Sequence, residues 1–201
     1  ELSKLVKPHY VIITEVSIGH LEGLKSLKNI LREKASICDG QRCNGFALIP
    51  SDTRTYADLQ KEVTSLGSRA ISFGKRNSPN YKIINSRVNS SGSQASILLP
   101  NSKKISFSLS AFGEHHVRNA SSIIALLSLM NLELERSIPI LSSWSPSQGR
   151  GDRIEINFRK SGEKVSFTLI DESYNANPVS VSSALDTLIK IEQFEEGRIG
   201  N

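Results

Sequence analysis

Three short, almost wholly apolar runs, Tyr10-Val11-Ile12-Ile13-Thr14, Phe46-Ala47-Leu48-Ile49 and Ala70-Ile71-Ser72-Phe73, are separated by stretches of helical spacing, and this alternation leaves few folds open to the chain. A continuous apolar run too short for a helix is what a strand buried on both faces looks like. Between the first two runs, Leu24, Leu27, Ile30, Leu31 and Ile37 recur at helical intervals, and Ala57 to Leu66 gives a second helix. Strand and helix in strict alternation predict an α/β fold, a mainly parallel sheet with right-handed crossovers and helices against its faces.

The pattern changes after Tyr81. Tyr81-Lys82-Ile83-Ile84, Ser96-Ile97-Leu98-Leu99 and Ile105-Ser106-Phe107-Ser108-Leu109 are joined by Asn, Ser, Gly and Lys, which predicts a small antiparallel meander with a solvated turn at Asn89 to Ser93. A long helix is expected from His115 to Asn131 and a shorter one near Ile138. Arg153 to Phe158 and Lys164 to Ile170 alternate in polarity around Lys160-Ser161-Gly162-Glu163, so they read as a hairpin. Past Pro178, Val179 to Phe194 reads as the first helix of a second domain.

Composition narrows the function classes. With 201 residues and 38% hydrophobic content the chain can bury a real core. The net charge of +5 suits an acidic ligand such as a nucleotide, but the cations are scattered and no basic block suggests nucleic acid. Cys38 and Cys43 fit neither a disulfide framework nor a zinc site, as expected of reduced thiols in the cytoplasm. No run approaches the ~20 apolar residues of a membrane span. The chain does not begin with Met and is expected to be a piece of a longer protein.

Chemistry concentrates where strands end. Asp171-Glu172-Ser173-Tyr174-Asn175-Ala176-Asn177-Pro178 joins a strand to a helix, and ligands of open α/β sheets lie at such junctions. A carboxylate there can hold a nucleotide's hydroxyls while amides fix the turn, although an ordinary capped helix start has the same local chemistry. His20 follows the first strand, Lys34 lies on the first helix, Asn119 opens the long helix in Gly113-Glu114-His115-His116-Val117-Arg118-Asn119-Ala120, and Arg150 stands between glycines. Each taken singly is also an ordinary surface residue.

Their order decides the reading. Asp171 to Pro178 resembles the D-D-S-Y-N-A-N-P signature of those Mur ligases that add D-alanyl-D-alanine to UDP-N-acetylmuramoyl-tripeptide, with Glu172 replacing the second Asp. Thr14 to Glu22 resembles the family's T-N-I-x-x-x-H-L-E, with Glu15 in place of Asn, and Gly113 to Ala120 its G-x-H-x-x-x-N-A. The resemblance implies a central ATP-binding domain over residues 1–172 and a hinge with the start of a C-terminal α/β domain over 173–201. It implies ATP and Mg2+ as cofactors, His20 and a carbamylated Lys34 as metal ligands and catalytic groups, Asn119 at the adenine, Arg150 at phosphate or ribose, and Asp171 at the ribose. Ser173, Tyr174, Asn175 and Asn177 would shape the hinge and the substrate approach.

The activity so implied is ATP-dependent amide bond formation through an acyl phosphate in peptidoglycan synthesis, by a monomer in the bacterial cytoplasm that neither binds nucleic acid nor inserts in a membrane. The family's phosphate-binding loop has no counterpart here. Gly74-Lys75 is the only Gly-Lys pair, it is followed by Arg76 rather than Ser or Thr, and Arg69 occupies the place of the first glycine. The loop is therefore expected upstream of Glu1, and residues 1–201 alone are expected to be inactive. Folylpolyglutamate synthase or another relative in the superfamily, or a non-catalytic nucleotide-binding module, are the alternatives.

Overall fold

The structure, a computed structural model, describes residues 2–17, 26–89, 91–160, 162–174 and 178–195. A short helix α1 (Leu2–Val6) precedes β1 (Tyr10–Ile12), α2 (Leu27–Ala35) with a 3-10 turn at Ser36–Gly40, β2 (Phe46–Pro50), α3 (Tyr56–Ser65) and β3 (Arg69–Gly74). Then come β4 (Tyr81–Asn89), β5 (Gly92–Leu98), β6 (Lys104–Leu109), α4 (Glu114–Leu129), α5 (Leu134–Leu141), the strands β7 (Asp152–Lys160) and β8 (Glu163–Asp171), and α6 (Pro178–Glu195).

The sheet runs in chain order from β1 to β6. Its first three pairings are parallel and the last two antiparallel, the mixed α/β architecture that the alternation predicts. The meander is not a separate layer, because β4 pairs with the end of β3 at Phe73↔Tyr81 and Gly74↔Lys82 and then runs on beyond it. That offset raises β4 to β6 into a wall above the carboxyl ends of the parallel strands.

Burial explains the continuous apolar runs. Ala47 and Ile49 on β2 join Val11, Ile30, Leu31, Leu59 and Val63 in a core under α2 and α3. Leu48, between them, joins Phe73, Ile83, Ile97, Phe107, Val117 and Ile124 in a second core under α4. Successive strand residues point to opposite faces, so helices on both sides demand apolar residues at every position.

Helices α2 and α1 depart from the sequence expectation, while the expected hairpin of β7 and β8 forms. Helix α2 starts after Ser26, whose Oγ accepts the Asn29 N–H at 3.2 Å, a side-chain N-cap; Leu24 lies outside the described residues. Helix α1 was not expected, since five residues cannot show an apolar period. Helix α6 packs against β4, with Ile191 buried. The β7–β8 pair forms its own two-stranded sheet, whose Ile154, Phe158, Phe167 and Leu169 stay exposed.

Candidate functional site

At the carboxyl edge of β1 the chain passes into Thr14, Glu15, Val16 and Ser17. Val16 is buried and donates its N–H to Glu15 Oε1 at 3.1 Å, which ties the Glu15 carboxylate to the strand end. Facing it is the first turn of α4. That helix begins at Gly113, whose φ of 118° and close neighbours His115 and Thr187 leave no room for a side chain. Val117, Ala120, Ser121, Ile124 and Ala125 bury one face of α4, so His115, Arg118 and Asn119, at i, i+3 and i+4, share another.

These residues line a cleft of about 260 Å³ together with Thr14, Glu15, Ser17, Glu172, Ser180 and Ser183. Arg118 Nη2 reaches Glu15 Oε2 at 2.6 Å, while its buried Nε has no acceptor among the described residues. Burial, reinforced by the Arg118 charge, holds the His115 imidazole below its usual pKa, and the ring's Nδ1 stands 3.4 Å from Ser183 Oγ. Its neighbour His116 is pushed from the usual 6.5 to about 4 by burial and then by His115. Glu172 is raised, by burial first and by Asp171 second. The cleft thus offers hydroxyls, one amide, one cation and two carboxylates, a set suited to a polar, ring-bearing ligand with hydroxyl groups.

Asn119 lines the cleft. Arg150 does not line it, but lies over the Tyr174 ring with its guanidinium carbon 4.0 Å from the centroid. The turn beneath is bound on both sides: Gly151 N–H donates to Asp171 O at 2.8 Å and Tyr174 N–H to Gly149 O at 3.0 Å. Gly149 has φ 78°, and a Cβ there would stand 2.9 Å from Tyr174 N, so Gly149-Arg150-Gly151 and Asp171 to Tyr174 form one interlocked junction.

Within that junction the two acids separate. Asp171 accepts the Ser173 N–H at 3.0 Å, and Ser173 holds its carboxyl below the usual range, whereas Glu172 is the acid on the cleft. Ser173 and Tyr174 are exposed. Lys34 sits half-buried in the last turn of α2 with no ion pair among the described residues, and does not line the cleft. His20, Asn175 and Asn177 lie outside the described residues. Gly74-Lys75-Arg76 is a capped turn: Asp52 Oδ1 accepts both the Lys75 and the Arg76 N–H, and Lys75 Nζ reaches Glu114 at 2.8 Å. Sequence reasoning gave no role to Arg118, although it stands beside Asn119 and three residues from His115.

The pattern of the Mur ligase middle domain matches residues 1–127. The chain belongs to the Mur ligase family. It is 30% identical over 192 residues to the UDP-N-acetylmuramoyl-tripeptide–D-alanyl-D-alanine ligase of Haemophilus influenzae, covering 96% of this chain and 39% of that protein. Its fold is similar to a crystal structure of MurF from Acinetobacter baumannii, with a TM-score of 0.78 at 24% identity over 94% of this chain and 39% of that one. It is likewise similar to the MurF ligase of Thermotoga maritima in complex with ADP, with a TM-score of 0.76 at 20% identity over 94% of this chain and 41% of that one. The chain therefore spans about two fifths of the length of these Mur ligases, and its sheet is that of their central domain.

Proposed function

We propose that this chain is the nucleotide-binding body of an ATP-dependent ligase that joins D-alanyl-D-alanine to UDP-N-acetylmuramoyl-tripeptide. Residues 1–172 form its central domain, and 173–201 the hinge and first helix of the domain that follows. The observation that carries this is the cleft at the carboxyl edge of the sheet, where Asn119 and Glu172 line one polar space. The similarity to D-alanyl-D-alanine-adding ligases over nearly the whole chain supports the choice of substrates. We assign the compartment as the bacterial cytoplasm and the protein as a monomer that does not act on nucleic acid; no described helix is long and apolar enough to cross a membrane.

In the whole protein a tripeptide carboxylate oxygen attacks the γ-phosphorus of ATP and releases ADP. The amine of D-alanyl-D-alanine then attacks the acyl carbon of the acyl phosphate, expels phosphate and loses its proton. Asn119 both donates to and accepts from the adenine edge, and Glu172, with Asp171 beside it, faces the ribose hydroxyls. Arg150, backed by Tyr174, offers a planar fork to anionic oxygens. Among the described residues no three His, Cys, Asp or Glu side chains converge on a metal position. Lys34, half-buried and without an ion pair among the described residues, fits an amine that takes up a carbamate, and with His20 would hold magnesium, which would neutralise charge on the phosphoryl oxygens. Ser173, Tyr174, Asn175 and Asn177 form the hinge across which the next domain closes.

The test is nucleotide selectivity in the full-length protein. Wild type should use ATP in preference to inosine triphosphate, and Asn119→Ala should raise KM for ATP by roughly tenfold and erase that preference, as expected for one lost hydrogen-bonding pair. An Asn119→Ala enzyme with unchanged selectivity would show that the adenine lies elsewhere.

A further inference from the structure

Glu15 and Arg118 lie 103 positions apart, yet their side chains meet at 2.6 Å inside the cleft. The acid is fixed twice, by the Val16 N–H and by Arg118 Nη2. A guanidinium is planar, so one short bond at Nη2 sets the direction of its remaining donors. Nε is buried without an acceptor among the described residues, so contact with a ligand falls to the part of the guanidinium that lines the cleft. The arrangement is a cation held in one orientation at the wall of the cleft.

The charges of the cleft explain why such a fork is needed. Its lining holds two carboxylates, Glu15 and Glu172, against one permanent cation, Arg118. His115 adds no positive charge near neutral pH, since burial and Arg118 keep its imidazole below the usual range. A nucleotide brings several negative charges of its own, and in a partly desolvated cleft uncompensated like charges repel strongly. Glu15 also stands where the resemblance places a neutral Asn, so this chain carries an acid that its cleft must offset.

We propose that Arg118 is the charge-compensating anion anchor of the nucleotide cleft: it neutralises Glu15, and Glu15 in turn positions the guanidinium so that its cleft-facing edge meets an oxygen of the phosphate chain. The inference rests on the nucleotide reading above and goes beyond it in assigning this pair. Acid and base work as a unit. Losing the base alone leaves Glu15 facing the ligand, whereas losing both restores a neutral wall.

Calorimetric titration of the full-length protein with ATP, ADP and adenosine separates these effects. Arg118→Ala should weaken ATP and ADP by roughly tenfold to a hundredfold while leaving adenosine near its wild-type affinity. The double variant Glu15→Asn with Arg118→Ala should recover part of that loss and stay weaker than wild type, Glu15→Asn alone, whose amide oxygen can still accept from Arg118 and hold the guanidinium, should bind ATP at least as tightly as wild type, and Arg118→Lys, which keeps the charge but not the planar fork, should retain only part of the affinity. Equal losses for ATP and adenosine would reduce Arg118 to a packing residue. A double variant no better than Arg118→Ala would overturn the compensation. Should Arg118→Ala fail to fold, Glu15→Asn decides alone, because weaker ATP binding by that variant contradicts the proposal. Wild-type protein that bound neither ATP nor adenosine would instead sink the nucleotide reading itself, and the pair with it.

Discussion

The two walls of the cleft are built in opposite ways. Helix α4 sends Val117, Ile124 and Ala125 into the core, with Ile124 fully buried, and carries His115, Arg118 and Asn119 on its other side. Helix α6 contributes Ser180 and Ser183 but leaves Val181, Leu185, Leu188 and Ile189 about half exposed, and among its described side chains Ile191 is the large apolar one that is buried. Beyond Ile191 against β4, the contacts that hold α6 at the cleft are polar among its described side chains: Ser183 beside His115, and Lys190 3.6 Å from Glu114. A wall fused to the core sets the geometry of ligand contacts, while a wall held by exposed polar contacts is free to move when a domain closes.

The sharpest way to break this comparison is to cut matched holes in both walls. Ile124→Ala should cost about 2–5 kcal/mol, because the buried site leaves a cavity that the sheet cannot fill. Leu185→Ala, on a side chain 56% exposed, should stay within about 0.5 kcal/mol. Urea unfolding of both variants measures the contrast, and equal losses would show that α6 belongs to the core as fully as α4.

A smaller effect separates the walls by pH. His116 lies behind the cleft between the His115 ring, 3.9 Å away, and the edge of Trp144 at 5.4 Å, and its pKa falls from 6.5 to about 4. Folding lowers this pKa, so the unfolded chain binds the proton more readily. The histidine's contribution is complete above about pH 6.5 and is lost as pH falls toward 4, amounting to up to about 3 kcal/mol. Glu172, raised by folding, works in the opposite sense, so the comparison must be with His116→Phe, which keeps the ring and removes the proton site. The variant should lose less stability than wild type between pH 7 and pH 5. Parallel pH profiles would mean that His116 is solvated in the folded state.

The parallel half of the sheet was legible in the sequence because strands buried on both faces must be apolar throughout, and β2 shows why: Ala47 and Ile49 face one core and Leu48 the other. The place of β4 to β6 was not legible. Periodicity marks them as antiparallel but is silent about the two-residue overlap of β4 with β3 that fuses them to the main sheet. At the site, Asn119 could be found from a resemblance, but which acid of Asp171-Glu172 lines the cleft depends on the turn that Gly151 and Ser173 impose on the chain. The Glu15–Arg118 pair was hidden for a simpler reason. Nothing local marks two residues 103 positions apart as neighbours until the sheet edge and α4 bring them together.

The smallest expected effect sharpens the account of the moving wall. Glu114 accepts Lys75 at 2.8 Å and stands 3.6 Å from Lys190, so one carboxylate bridges the end of β3 and helix α6. Burial alone would raise its pKa, but the Lys75 hydrogen bond and the two lysine charges outweigh that and hold it below the usual range. Both partners are substantially exposed, so Lys190→Ala should cost less than about 1 kcal/mol of global stability, within the range of surface ion pairs. Its effect should show locally instead. Amide exchange across Ser180 to Lys190 should speed up while exchange in the buried half of α4 stays unchanged, and added salt should abolish the difference between variant and wild type by screening the pair. If exchange in both helices rises together, α6 and α4 open as one unit, and the contrast between a fixed and a moving wall is wrong.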